Sequence, residues 1–289
     1  MRNAPWGGYR WLIPVLALIA VIELIPFAIM TWYSVLGLSY TDPTLKGQYV
    51  GLDNYRQALG DPELGHSLLV TAKVMLALPL EFALGLGLAL ALSQHLTLKK
   101  YVLPIMVIPM ILPPVVVGLA GALNLNADFG LIGIALRQLG WVSTTPLGDY
   151  RLALPAIILV DVWQWTPFLS LIFLAALLSF PKEPYEAARV DGASSWQIFR
   201  RVTLPLMRPI FVVAFLLRFT DLFKIFDTIF IMTGGGPGAA TEVLNLLAYK
   251  INFRFWNIGY GAAVVMLLYI VSFLVSFIFV KVTAPVRGT

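Results

Sequence analysis

Glu186-Ala187-Ala188-Arg189-Val190-Asp191-Gly192-Ala193 stands between two long apolar stretches, with Ser194-Ser195-Trp196-Gln197 and Val202-Thr203-Leu204-Pro205 following it. Pro184 suits the first turn of a helix, where its missing N–H is no loss and its fixed φ is already helical. Glu186 falls near the positive end of that helix's dipole, and Gly192 supplies the left-handed residue that stops it. Ser194 and Gln197 match a capping box, which predicts a second helix that runs until Leu204-Pro205 ends it. The result is helix, glycine corner, helix: a polar elbow carried by the apolar segments on either side. An ordinary amphipathic connector has the same periodicity, so the pattern alone leaves both readings open.

The flanking segments belong in a membrane. Of 289 residues 59% are hydrophobic and 12% charged, against about 25% charged in a soluble domain. A hydrocarbon core of about 30 Å needs roughly 20 apolar residues per helix, and six runs qualify, at about 11–38, 67–93, 101–123, 152–179, 209–232 and 258–281. Open sheets leave backbone groups unpaired in lipid, and the runs lack the short alternation of barrel strands. The fold class predicted is therefore all-α: one polytopic transmembrane domain over residues 1–289, with the elbow as a loop at about 181–208. The first run is about twice the length of a signal-peptide core and has no small-residue cleavage site, which makes it a retained anchor. With no cysteine in the chain, disulfides are excluded.

Orientation follows from lysine and arginine, which cytoplasmic loops retain. With the N-terminus inside, Arg2, Arg10, Lys99, Lys100, Lys182, Arg189, Arg200, Arg201, Arg208, Lys281 and Arg287 are cytoplasmic, while Lys46, Arg56, Arg137, Arg151, Lys250 and Arg254 are outside. Both termini and the elbow are then cytoplasmic, and the net charge of +5 calls for no nucleic-acid partner. The outer connections 39–66 and 124–151 are read either as docking surface or as solvated linkers, with a short surface helix at Gly130-Leu131-Ile132-Gly133.

Thr233-Gly234-Gly235-Gly236-Pro237-Gly238 lacks the Lys-Ser/Thr ending of a phosphate-binding loop and does not follow a strand, so it reads as a tight outer turn. With no nucleotide cradle, no zinc-protease or serine-elbow motif, and His66 and His95 at opposite boundaries, the chain shows no chemistry of its own.

Charged residues inside the spans are the remaining signal, since each costs about 2.5–3.5 kcal/mol at a helix centre. The fifth run carries Arg218, Asp221, Lys224 and Asp227 with alternating signs at i,i+3 steps. On one continuous helix these rise about 13 Å and pair along it; the ladder is read either as a structural lock or as a solute-facing array. Asp161 and Asp221 both fall near the bilayer middle, and Gln164 and Trp165 share a helical face with Asp161. Lys73 and Glu81 snorkel, pair or face the bundle interior, and Glu23 is expected to be buried against protein. Pro79, Pro104, Pro109, Pro113 and Pro114 predict kinks or breaks. Ala83-Gly87 and Gly118-Ala122 fit close helix approach.

Taken together, the elbow, Trp163-Gln164-Trp165-Thr166-Pro167 and Thr233-Gly234-Gly235-Gly236-Pro237 resemble the permeases of ABC carbohydrate importers of the maltose and glycerol-phosphate type, and the likeness spans nearly the whole chain. The resemblance implies that Glu186, Ala187, Ala188, Asp191, Gly192 and Ala193 form the EAA coupling helix that docks on an ATPase. It implies a second homologous permease subunit, an ATPase dimer that holds ATP and magnesium, a soluble extracytoplasmic binding protein, and the inner membrane of a prokaryote. This chain would hold no cofactor itself. Solute contacts in such permeases map to Asp161, Gln164 and Trp165, and to Arg218, Asp221 and Leu222. Carboxylates and amides hydrogen-bond sugar hydroxyls, and an indole offers a platform to a pyranose; Arg218 and Lys224 add possible partners for an anionic group. Neutral sugars, polyols, oligosaccharides and anionic derivatives all stay open. A permease for amino acids, polyamines or phosphate shares the elbow but not the Trp-rich and Gly-rich stretches, and an ion-coupled carrier leaves the elbow unexplained.

Overall fold

The computed structural model describes residues 11–93 and 99–283; Arg2, Arg10, His95 and Arg287, used above, lie outside the described residues. The described residues of 1–65 and 247–271 form one compact unit, and those of 66–246 and 272–289 form another.

The first unit begins with α1 (Ile13–Ser34), which ends four residues before the predicted limit. Asn54 explains the early stop: its Nδ2 donates to the carbonyls of Ser34 (2.9 Å) and Leu36 (2.8 Å), which turns the backbone out of the helix. Residues Leu36–Leu38 form β1, antiparallel to β2 (Lys46–Tyr49), the one departure from an all-helical fold among the described residues. Between the strands, the hydroxyl and N–H of Thr44 both bond the Asp42 carboxylate and hold it below the usual carboxylate range. Next come α2 (Asp53–Gly60) and the start of α3 (Pro62–Val74). The end of α13 (Leu244–Tyr249), a wide turn over Lys250–Arg254 and the first part of α14 (Ile258–Thr283) complete the unit. A Cβ on Gly259 would collide with the Leu36 carbonyl, so glycine is what lets α14 start against β1. Contrary to expectation, α1 is exposed along almost its whole length, and Glu23 with it.

In the second unit α3 continues into α4 (Ala77–Ser93), together one apolar span of 32 residues. Pro79 has no N–H to offer the Met75 carbonyl, so Leu78 takes it in a tighter turn (3.1 Å) at the joint. The helix expected at 101–123 is two: α5 (Lys99–Ile111) and α6 (Pro114–Asn124), bent by 97°. Pro113 and Pro114 cause the break, because neither donates and the N–H of Val116 bonds Pro113 (2.9 Å) instead of Leu112. The predicted surface helix is α7 (Leu131–Gln138), and α8 (Ala153–Ser179) runs unbroken for 27 residues.

After α9 (Glu183–Val190), α10 (Ser195–Ile198) does not stop at Leu204-Pro205 as predicted. It runs through a π-turn, Phe199–Thr203, straight into α11 (Leu204–Phe223). The wider turn lets the Leu204 N–H reach Phe199, and the proline falls in the first turn of α11, where its ring and missing N–H are tolerated. The fifth span, in turn, breaks after Phe223 and resumes as α12 (Asp227–Met232).

The core of this unit is where α4, α8 and α11 meet. Phe173 packs edge-on against Phe82 (5.4 Å between centroids) and Phe211 (5.2 Å), amid Leu169, Leu174, Met207 and Ala214. Gly85 makes the close approach: a Cβ there would lie 3.1 Å from Leu169 Cβ and 3.3 Å from the Ser170 nitrogen. The small residues singled out by sequence, Ala83 and Gly87, are on the exposed face instead. Gly118 does pack closely: a Cβ there would lie 3.2–3.3 Å from Ile231 and the Thr228 backbone of α12. Gly85→Leu is expected to cost about 1–3 kcal/mol by overpacking and to lower the unfolding temperature in detergent. Gly87→Leu, with open space around it, should not; equal losses in both variants would contradict the packing.

Candidate functional site

Near the start of α4, in the first half of α8 and near the end of α11, the charged residues converge on one guanidinium. Arg218 donates from Nε to Glu81 Oε2 (2.8 Å) and from Nη2 to Glu81 Oε1 (2.7 Å), a two-pronged pair across helices. Its Nη2 also donates to Asp161 Oδ2 (2.6 Å) and its Nη1 to Asp221 Oδ2 (2.6 Å). The side chains of Arg218 and Glu81 are 1% and 0% exposed, that of Asp161 4%, and that of Asp221 54%, so the cluster is sealed on one side and open on the other. The Trp165 ring lies over the guanidinium at 4.8 Å, a cation–π contact that fixes its face.

Gln164 sits beside this cluster, nearly inaccessible to solvent. Its Nε2 donates to the carbonyl of Leu112 (3.2 Å), the one that the α5–α6 break leaves without a helical donor, while its Oε1 is buried with no partner. The α11–α12 break is capped alike, by Asn245 Nδ2 on the Lys224 carbonyl (3.0 Å). Lys224 and Asp227 are exposed there. The four-member ladder expected along one helix is thus not formed: Arg218 and Asp221 pair, but the helix ends before Lys224, and among the described residues no ion pair joins it to Asp221 or Asp227. Leu222 points into the protein at 1% exposure.

Glu81 was only one of several ambiguous charges in the sequence, yet it is the bidentate partner of Arg218. The available signal was a carboxylate in an otherwise apolar run together with an arginine at similar depth on another span. An apolar cavity of about 810 Å³, bordered by Leu136, Trp141, Pro155, Leu159 and Trp163, lies toward the start of α8. Its lining is mostly aliphatic, with Asn124 and the two indoles as its polar side chains, so a hydroxyl-rich solute would find few hydrogen-bond partners there.

The second candidate region is the elbow. In α9, Pro184 occupies the first turn, and the N–H groups of Gly192 and Ala193 bond the carbonyls of Arg189 (3.0 Å) and Ala188 (2.9 Å). That is a Schellman stop with Gly192 at φ +75°, a conformation glycine adopts without strain. Ser194 and Gln197 form the reciprocal capping box, at 2.7 and 3.3 Å. No residue of α9 is buried, and Val190 and Trp196 are 87% and 66% exposed.

A family model described as binding-protein-dependent transport system inner membrane component matches residues 83–286. The chain belongs to that family. Among relatives, the trehalose/maltose transport system permease MalF of Thermococcus litoralis is 34% identical over 95% of this chain and 92% of its own length. The trehalose permease SugA of Mycobacterium tuberculosis is 31% identical over 93% of this chain and 85% of its own length. The sulfoquinovosyl glycerol permease SmoG of Agrobacterium fabrum is 30% identical over 94% and 88%. A bacterial ABC transporter that imports the acidic polysaccharide alginate shares the fold, with a TM-score of 0.84 at 20% identity, covering 98% of this chain and 96% of that one. In keeping with an inner-membrane component, five helices among the described residues are long and apolar enough to span, or six when the bent α5–α6 pair is counted as one span.

Arg218→Ala would leave two buried carboxylates facing each other, at a cost of about 3–5 kcal/mol. The expected result is loss of folded protein after detergent extraction, with Arg218→Met, Glu81→Leu and Asp161→Leu together restoring most of it. No recovery in the triple variant would contradict the view that the penalty is unpaired charge.

Proposed function

We propose that this chain is the permease subunit of an ATP-driven ABC importer that carries a sugar or sugar derivative, delivered by a soluble extracytoplasmic binding protein. Relatives named for trehalose and maltose transport support the solute class, and the family's description supports dependence on a binding protein. The observation that carries the reading is the elbow: a rigid, doubly capped turn whose apolar residues Val190 and Trp196 are 87% and 66% exposed. Glu186, Ala187, Ala188, Asp191, Gly192 and Ala193 seat this turn in a cleft of an ATPase dimer that binds ATP and magnesium. A second homologous permease completes the path. The lysine and arginine distribution supports cytoplasmic termini and a cytoplasmic elbow.

Because α10 passes into α11 without a stop, a displacement of the elbow is delivered as movement of a helix that ends at Arg218 and Asp221. That is the mechanical half of the proposal. The chemical half is a solute path bordered by Asp221, Trp165 and Lys224, with Asp161, Gln164, Arg218 and Leu222 behind them as support.

Two experiments separate the halves. Glu186→Lys or Gly192→Pro should leave membrane insertion intact while uptake falls to background and the ATPase no longer responds to loaded binding protein; wild-type uptake in both would refute the docking site. Asp221→Ala or Asp161→Ala should abolish uptake in a complex that still assembles, since Arg218 keeps its bidentate bond to Glu81. Unchanged uptake in both would reduce the cluster to a structural lock.

A further inference from the structure

Arg218 has five N–H donors. Nε, both hydrogens of Nη2 and one of Nη1 are committed to three carboxylates, and the side chain is 1% exposed. A solute therefore meets not a guanidinium but the carboxylate of Asp221, of which only Oδ2 is bonded to Arg218. At this level of the second unit the cations Arg218 and Lys224 stand against Glu81, Asp161, Asp221 and Asp227, a formal excess of two negative charges. Lys73 lies about 12 Å further along its span from Glu81, beyond the Met75–Leu76 joint, and does not offset it.

We infer that the path rejects acidic solutes and that the part of the transported molecule passing Asp221 and Trp165 is uncharged and rich in hydroxyls. This deepens the proposed function and rests on its reading that the cluster borders the path. The exposed Asp221 carboxylate, with one oxygen not bonded to Arg218, suits hydroxyl groups, which donate; carboxylate, sulfonate and phosphate oxygens only accept. An anionic group would also meet Asp221 across a medium of lower dielectric than water, with Lys224 as its one exposed counter-charge among the described residues of this cluster. Sealing of Arg218 by Glu81, rather than the presence of an arginine as such, is what decides the sign.

The test uses the purified complex of this chain with its second permease and ATPase pair, held by a non-hydrolysable ATP analogue and titrated calorimetrically with maltotriose and with trigalacturonate, an acidic trisaccharide. Maltotriose should bind, and trigalacturonate should bind at least about tenfold more weakly, equivalent to about 1.4 kcal/mol, with the gap widening as salt is lowered. Asp221→Asn should narrow the gap by about threefold or more by strengthening trigalacturonate. Equal or tighter binding of trigalacturonate to the wild type, or a gap unchanged in Asp221→Asn, would overturn the inference while leaving the path in place. Binding of neither sugar by a complex that still hydrolyses ATP would overturn both, because it removes the solute from this cluster altogether.

Discussion

A guanidinium buried at mid-span sets the terms for the rest of this protein. Removing Arg218 from water costs several kcal/mol, and the cost is offset only if carboxylates arrive with good geometry. They come from two other helices, Glu81 of α4 and Asp161 of α8, and from one turn further along α11 at Asp221. Three spans are therefore obliged to meet at one point. The close approach at Gly85 and the interlocked rings of Phe82, Phe173 and Phe211 consolidate the same junction through packing. Ionic and apolar contacts thus specify one arrangement of α4, α8 and α11.

Around that junction two helices are interrupted, and each interruption is capped by an amide side chain. Gln164 holds the Leu112 carbonyl at the α5–α6 break, and Asn245 holds the Lys224 carbonyl at the α11–α12 break. Backbone freed from a helix within a membrane persists only where protein or a water-filled cavity satisfies it. The half-helices beyond the breaks, α6 and α12, pack together through Gly118. These two short segments are joined to their long partners by non-helical joints, whereas α10 and α11 run on without a stop.

The elbow was legible in the sequence because its determinants are local: Pro184 sets the first turn of α9, and Gly192, Ser194 and Gln197 each make a bond within five residues. The spans were legible from length and apolar content, and the α5–α6 break from adjacent prolines. Long-range pairing was not, since nothing within the 67–93 run distinguishes the inward carboxylate of Glu81 from the exposed ammonium of Lys73. Periodicity likewise could not tell Gly85 from Gly87 as the contact residue in a helix apolar on every side. The ladder failed for a related reason: equal i,i+3 spacing presumes a continuous helix, and the stop after Phe223, capped from Asn245, is fixed by a residue more than twenty positions away. Even so, Asp161 and Asp221 were placed at one depth by counting residues from the span ends, and both do bond Arg218.

The chain has no cysteine, so a single introduced thiol reports its surroundings without background. The most direct measurement is the reactivity of Asp221→Cys toward a membrane-impermeant thiol reagent, applied from each side of proteoliposomes holding the complete complex. Labelling from the cytoplasmic side without nucleotide, switching to the outer side when ATP is trapped on the ATPase, is the expected result. Labelling from neither side, or labelling indifferent to nucleotide, would contradict a solute path at this junction that is driven through the elbow.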